Sequence, residues 1–145
     1  MKLAEALIER AELKKTLTSL ESRMEQNVKV QEGDIPAEDI KELMKMYEEL
    51  MCSLEDLIIR INKTNTKYGI SEMITHRDQL KSCIKVLRNL YDEGVSRCDR
   101  YSRSEIKFIS CINGREMQKR IDDLSKECRE VDIKIQAQNW TVDLV

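Results

Sequence analysis

The apolar residues of this chain recur at alternating three- and four-residue steps in four separate segments. The first carries Leu3, Ala6, Arg10, Leu13, Leu17, Leu20 and Met24, and the second Ile40, Leu43, Tyr47, Leu50, Leu54, Leu57 and Ile61. The third carries Met73, Arg77, Leu80, Ile84, Leu87 and Tyr91, and the fourth Met117, Ile121, Leu124, Cys128, Val131 and Ile135. A 3.5-residue repeat held for about three heptads lines its apolar members along one narrow face, the pattern of helices packed lengthwise. Four glycines and one proline leave few helix breakers, and aromatic residues make up only 4% of the chain. A β protein needs more turn, aromatic and β-branched residues than this. The expected fold is therefore all-α.

The breaks between stripes place the helices. In "EGDIPAED", Gly33 permits a turn, Asp34 or Ile35 stands near a cap, and Pro36 suits a first helical turn. In "NTKYGIS", Gly69 suits a helix end and Ser71 a cap. Gly94 closes the third stripe and Gly114 precedes the fourth. These signals predict four long antiparallel helices over about 2–26, 36–66, 71–94 and 114–138, in one domain spanning the whole chain. Two connections, at about 27–33 and 105–112, alternate apolar and polar residues, as in Val28 and Val30 or Ile106 and Phe108. Their alternation predicts a small two-stranded β-ribbon at one end of the helices, on a floor of helix ends, because a lone pair of strands is marginal in water.

Two arginines interrupt the stripes. Counting helical rise from a shared end puts Arg10 near Glu55 and Asp56, and Arg77 near Asp132. Such charges either pair across the seam and fix register, or lay their stems on the core and send their heads to water. A second cluster lies between the third and fourth stripes, where Arg97, Arg100, Arg103 and Lys107 surround Tyr101. Guanidinium forks beside hydroxyls suit an anion. They suit equally the acidic connection of Glu32, Asp34, Glu38 and Asp39, expected at the same end, within one chain or between copies. The assembly role is the expectation, with small-anion binding as an alternative.

Little of the chain suits catalysis. His76 is the single histidine, so no multi-histidine metal site exists, and Glu72 four residues before it makes only a lone pair of ligands. No phosphate-binding glycine loop or nucleophile elbow occurs. Cys83 stands seven residues from His76, about two turns away on one helix, too far for a hydrogen bond. The five cysteines form no CxxC pair, which argues against both a disulfide framework and a zinc site. No enzyme activity, metal or cofactor is expected. Met44, Met46 and Met51 read as core and flank filler rather than a sticky surface.

The 25 basic and 27 acidic residues leave a net charge of −2, which argues against a general nucleic-acid binder. Glu5 and Glu9 interrupt what would be the apolar part of an export signal, and no run approaches the ~18 apolar residues of a membrane span. The expectation is a cytoplasmic protein without stable membrane insertion.

The segments "MKLAEALIERA", "KVQEGDIPAEDI", "RINKTN", "DRYSRSEIKF" and "IQAQNW" carry a resemblance over nearly the whole chain. In combination they resemble the septicolysin-like family of small bacterial proteins. That family name implies a thiol-activated cytolysin. The dense mixed charge of "ERAELKK" and "KRIDDLSKE" suits water, and Trp140 is the single tryptophan. The expected function is thus a non-enzymatic, self-associating helical scaffold or binding protein, a homo-oligomer, with membrane lysis as the competing alternative.

Overall fold

The stripes become helices. A computed structural model describes residues 1–96 and 108–145, and among these the protein is all-α. The helices are α1 (Leu3–Asn27), α2 (Ile40–Lys67), α3 (Ile70–Tyr91) and α4 (Gly114–Thr141), with a π-helical turn at Asp92–Ser96. Every stripe residue is buried or half-buried. The chain divides into two compact units: one contains Met1–Gly69 and Gln138–Val145, the other Ile70–Ala137.

In the first unit α1 and α2 form an antiparallel hairpin. Leu3, Ala6, Leu17 and Leu20 of α1 and Leu43, Leu54, Leu57 and Ile61 of α2 are its buried apolar residues. At the start of α1, Glu5 Oε2 accepts a hydrogen bond from the Lys2 amide at 2.7 Å, satisfying a donor the helix leaves free. At its end, the buried Asn27 donates Nδ2–H to the Arg23 carbonyl at 2.8 Å, and its Oδ1 accepts from the Glu38 amide at 2.9 Å. One side chain thus stops α1 and fixes the approach to α2. Arg23 reinforces it with a two-pronged bond to Glu38, whose second prong, from Nε to Oε2, is 3.0 Å.

The tail completes this unit. The Leu3 amide donates to the Val142 carbonyl, and the Leu144 amide to the Met1 carbonyl, both at 3.0 Å, around an antiparallel bridge between Lys2 and Asp143. Farther along, the Val145 amide donates to Thr64 Oγ1 at 3.0 Å, and Arg60 Nε donates to the Val145 carbonyl at 3.0 Å. Thr64 is fully buried.

In the second unit α3 and α4 pack antiparallel around Leu80, Ile84, Ile121, Leu124 and Cys128, with Leu87, Tyr91, Met117 and Val131 against them. Asn113 caps α4, its Oδ1 accepting from the Arg115 and Glu116 amides at 3.0 and 3.3 Å. The Cα traces of α1 and α2 approach within 8 Å at many points, whereas α3 and α4 stand farther apart.

Three expectations are corrected. The β-ribbon is not present among the described residues: α1 runs to Asn27, Val28 keeps helical angles, and the chain then folds into a turn at Gln31–Asp34 with Gly33 at φ 92°. Phe108–Ser110 forms no strand either, and 105–107 lie outside the described residues. Alternation over two apolar residues cannot outweigh a helix that continues through the first of them. Second, α2 begins at Ile40 rather than near Pro36, because Asp39 is the cap, accepting from the Lys41 amide at 2.9 Å. Third, Ser71 caps nothing: Gly69, at φ 68°, turns the chain so sharply that α3 starts at Ile70 and takes Ser71 into its first turn.

Candidate functional site

The basic cluster singled out in the sequence, Arg97, Arg100, Tyr101, Arg103 and Lys107, lies outside the described residues. Its expected acidic counterparts are described. Glu32 and Asp34 are exposed. Glu38 is engaged by Arg23, whose hydrogen bonds hold its carboxyl below the usual range against a smaller opposing effect of desolvation. Asp39 is spent on the N-terminus of α2. Two of the four acids therefore already have partners in their own hairpin.

The stripe charges differ from one another. Arg10 is half-buried and Asp56 exposed, and neither has an ion pair among the described residues. The structure does bring Arg77 and Asp132 together: Nη1 donates to Oδ1 at 3.1 Å, while Nε and Nη2 hold Asp78 at 3.1 and 3.0 Å. Hydrogen bonds to Asp132 and then Asp78 raise the arginine's pKa above its ordinary value. This arginine sits on the seam as a three-way tie, with its stem shielded and its head at the surface.

Next to it, His76 Nε2 lies 3.0 Å from Glu127 Oε1. Both side chains are about half exposed, at 53% and 50%. They border an open groove of about 510 Å³ that also has Glu72, Glu130 and Lys134 on its walls. Among the described residues no three acidic, cysteine or histidine groups converge as metal ligands. Cys83 and Cys52 are exposed and Cys128 is buried. Among the described residues lining its groove, His76 has a carboxylate at hand and no cysteine, serine or threonine.

The most distinctive apolar surface is on α2. Met44, Met46 and Met51, expected as core and flank filler, lie outside the core, exposed at 49%, 45% and 43%, with Ile59 at 43%. Met51, Cys52, Leu54, Glu55, Ile58 and Ile59 line a groove of about 360 Å³. Met44, Met51 and Ile58 repeat every seven residues, one position after the buried Leu43 and Leu57 and the half-buried Leu50. That second row was readable as a signal, and the seam beside it obscured it.

Two helical hairpins define a class, an all-α protein in which no helix of the described residues is long and apolar enough to cross a membrane. Residues 10–144 match a family described as a family of unknown function (DUF6847), and the chain belongs to that family. It is also similar to the crystal structure of a functionally unknown conserved protein from Corynebacterium diphtheriae. The two are 39% identical with a TM-score of 0.90, over 100% of this chain and 99% of that one. No curated protein matches.

Proposed function

We propose that the protein is a non-enzymatic helical scaffold that self-associates through the outer row of α2. What supports this reading is the row of Met44, Met51 and Ile58 on α2, the two methionines exposed and Ile58 half-buried in a groove beside the exposed Ile59. Apolar side chains at heptad spacing on a free helix face gain by burial against another helix. A second copy supplies the same row, and a two-fold axis lets each row fill the other's groove. Met side chains adapt to such a seam because they are unbranched and flexible. In this arrangement the second row extends the coiled-coil logic of the first across the subunit boundary.

The test is light scattering coupled to size exclusion, with native mass spectrometry, on the whole chain. The wild-type protein runs as a closed oligomer, and Met51→Lys with Ile59→Glu shifts it to monomer while far-ultraviolet circular dichroism is unchanged. A wild-type monomer at tens of micromolar sinks the reading.

One observation favours a second reading, the membrane lysis implied by the septicolysin-like resemblance. Phe108 and Ile109 are 79% and 82% exposed, close to the exposed thiol of Cys111. Apolar side chains beside a reactive thiol suit thiol-dependent insertion into a bilayer surface. Dye leakage from liposomes that stops when Cys111 is blocked would support it, and intact liposomes would remove it.

A further inference from the structure

Positive and negative charges are nearly balanced over the chain, 25 against 27. One groove of the α3–α4 hairpin breaks that balance. Lys81, Lys85 and Arg88 project into it from α3, and Arg129 faces them from α4. The α3 residues follow i, i+4, i+7 spacing and so share one helix face. Among the described residues of the lining Asp92 is the single carboxylate, which leaves an excess of three positive charges there. Among the described residues none of the four cations has an ion pair, although in the same hairpin Arg77 and His76 both meet carboxylates.

The groove also has a floor. Ile84 and Cys128 line it and are themselves 6% and 9% exposed, so one wall of the charge cluster is a low-dielectric core that water does not screen. Ser125, on the same lining, has a buried Oγ without a hydrogen-bond partner. A serine on a helix commonly turns its hydroxyl back to a carbonyl one turn earlier; here both its donor and its acceptor capacity are unused. These two observations are independent. Unmatched cations point to an anion; the Ser125 hydroxyl is buried in its present rotamer and meets a ligand only by turning into the groove that its residue lines.

We infer that this groove binds a compact anion carrying two or more phosphate groups. Its volume of about 570 Å³ accommodates a small molecule. Lys81 and Arg88 are seven residues apart, about 10 Å along the helix axis. Four cations spread over that length and across to the facing helix match several negative charges better than one, which favours joined phosphates over a single one. The guanidinium groups of Arg88 and Arg129 suit bidentate grip on phosphate oxygens, and Lys81 and Lys85 act as point charges along the chain of phosphates. Asn89, also on the lining, adds an amide donor.

The site is independent of self-association through α2, so either reading can fail alone. It is tested by isothermal titration of the whole chain with tripolyphosphate and, separately, with orthophosphate. Tripolyphosphate is expected to bind saturably at one site per chain, more tightly than orthophosphate, and to weaken as salt is raised. Arg129→Gln and Lys85→Gln should each weaken it at least tenfold, and Ser125→Ala about threefold. All three variants should keep the wild-type circular dichroism, and a Lys14→Gln, Lys15→Gln control on α1 should bind as the parent does. No saturation, or an equal loss in the α1 control, overturns the proposal by reducing the effect to diffuse attraction. Sedimentation with vesicles containing a bisphosphorylated inositol lipid identifies the source. Binding that Arg129→Gln abolishes assigns the polyphosphate to a headgroup. A chain that binds tripolyphosphate but leaves such vesicles alone takes a soluble ligand.

Discussion

The two hairpins are built from the same kind of stripe and held closed by different means. The α1–α2 unit has surface pairs, Arg23–Glu38 and Lys2–Asp143, and adds to them main-chain bonds between residues far apart in sequence, around Leu3, Leu144 and the Val145–Thr64 contact. The α3–α4 unit is tied across its helices by side chains at the surface, Arg77 to Asp132 and His76 to Glu127. Shielded main-chain bonds resist salt, whereas exposed ion pairs each contribute little and are screened. The difference also separates the roles proposed for the units. The first has fixed its ends and offers an apolar outer face; the second keeps a row of cations without ion pairs among the described residues.

The sharpest way to break this comparison is to cut into each core in turn. Ile61→Ala in the first unit and Leu124→Ala in the second each remove a buried side chain and should cost about 2–5 kcal/mol in denaturant melts. Amide exchange then distinguishes the units: the first variant deprotects α1 and α2, the second α3 and α4. Equal deprotection everywhere in both variants would mean that one cooperative fold spans both. A smaller change addresses the tail. Thr64→Val keeps the shape but removes the acceptor of the Val145 amide, and should cost about 1 kcal/mol, with faster exchange confined to the last residues.

Acid is the gentlest probe. Arg23 holds the Glu38 carboxyl, and Lys2 the Asp143 carboxyl, below the usual range, chiefly through hydrogen bonds. The folded chain then binds fewer protons than the unfolded chain as pH falls. The contribution of each is complete above the ordinary carboxylate pKa of about 4 and is lost as pH drops through the lower folded value. Melting temperatures measured downward from neutral pH should therefore fall, and Arg23→Gln should flatten the part due to Glu38. A profile unchanged by that substitution would remove the ion pair from the account of the first unit.

Much of this architecture was legible in the sequence because burial follows period. Every stripe position is shielded, down to the half-buried Tyr47 and Met24. The boundaries were harder, since "EGDIPAED" contains several acids able to cap and only the coordinates single out Asp39. Arg10 and Arg77 carry the same sequence signal with different outcomes, because pairing depends on which acid stands across the seam to within one turn. The tail clamp left no pattern at all: a single bridge between Lys2 and Asp143 has no periodicity to detect. The cations of α3 read alone as an ordinary solvated face. Only Arg129 and the idle Ser125 hydroxyl, both from α4, give them a shared focus.

The base of the connection between α3 and α4 has an evolutionary consequence. A methyl group added at Gly94 would stand 2.8 Å from Ile112 Cδ1, and one added at Gly114 would stand 3.4 Å from Val95. The departing and returning strands of chain are thus pinned together where they leave the hairpin. A side chain at position 94 would have to push the end of Ile112 aside, so relatives with a larger residue at 94 should carry a smaller one at 112, and that exchange would mark the clasp.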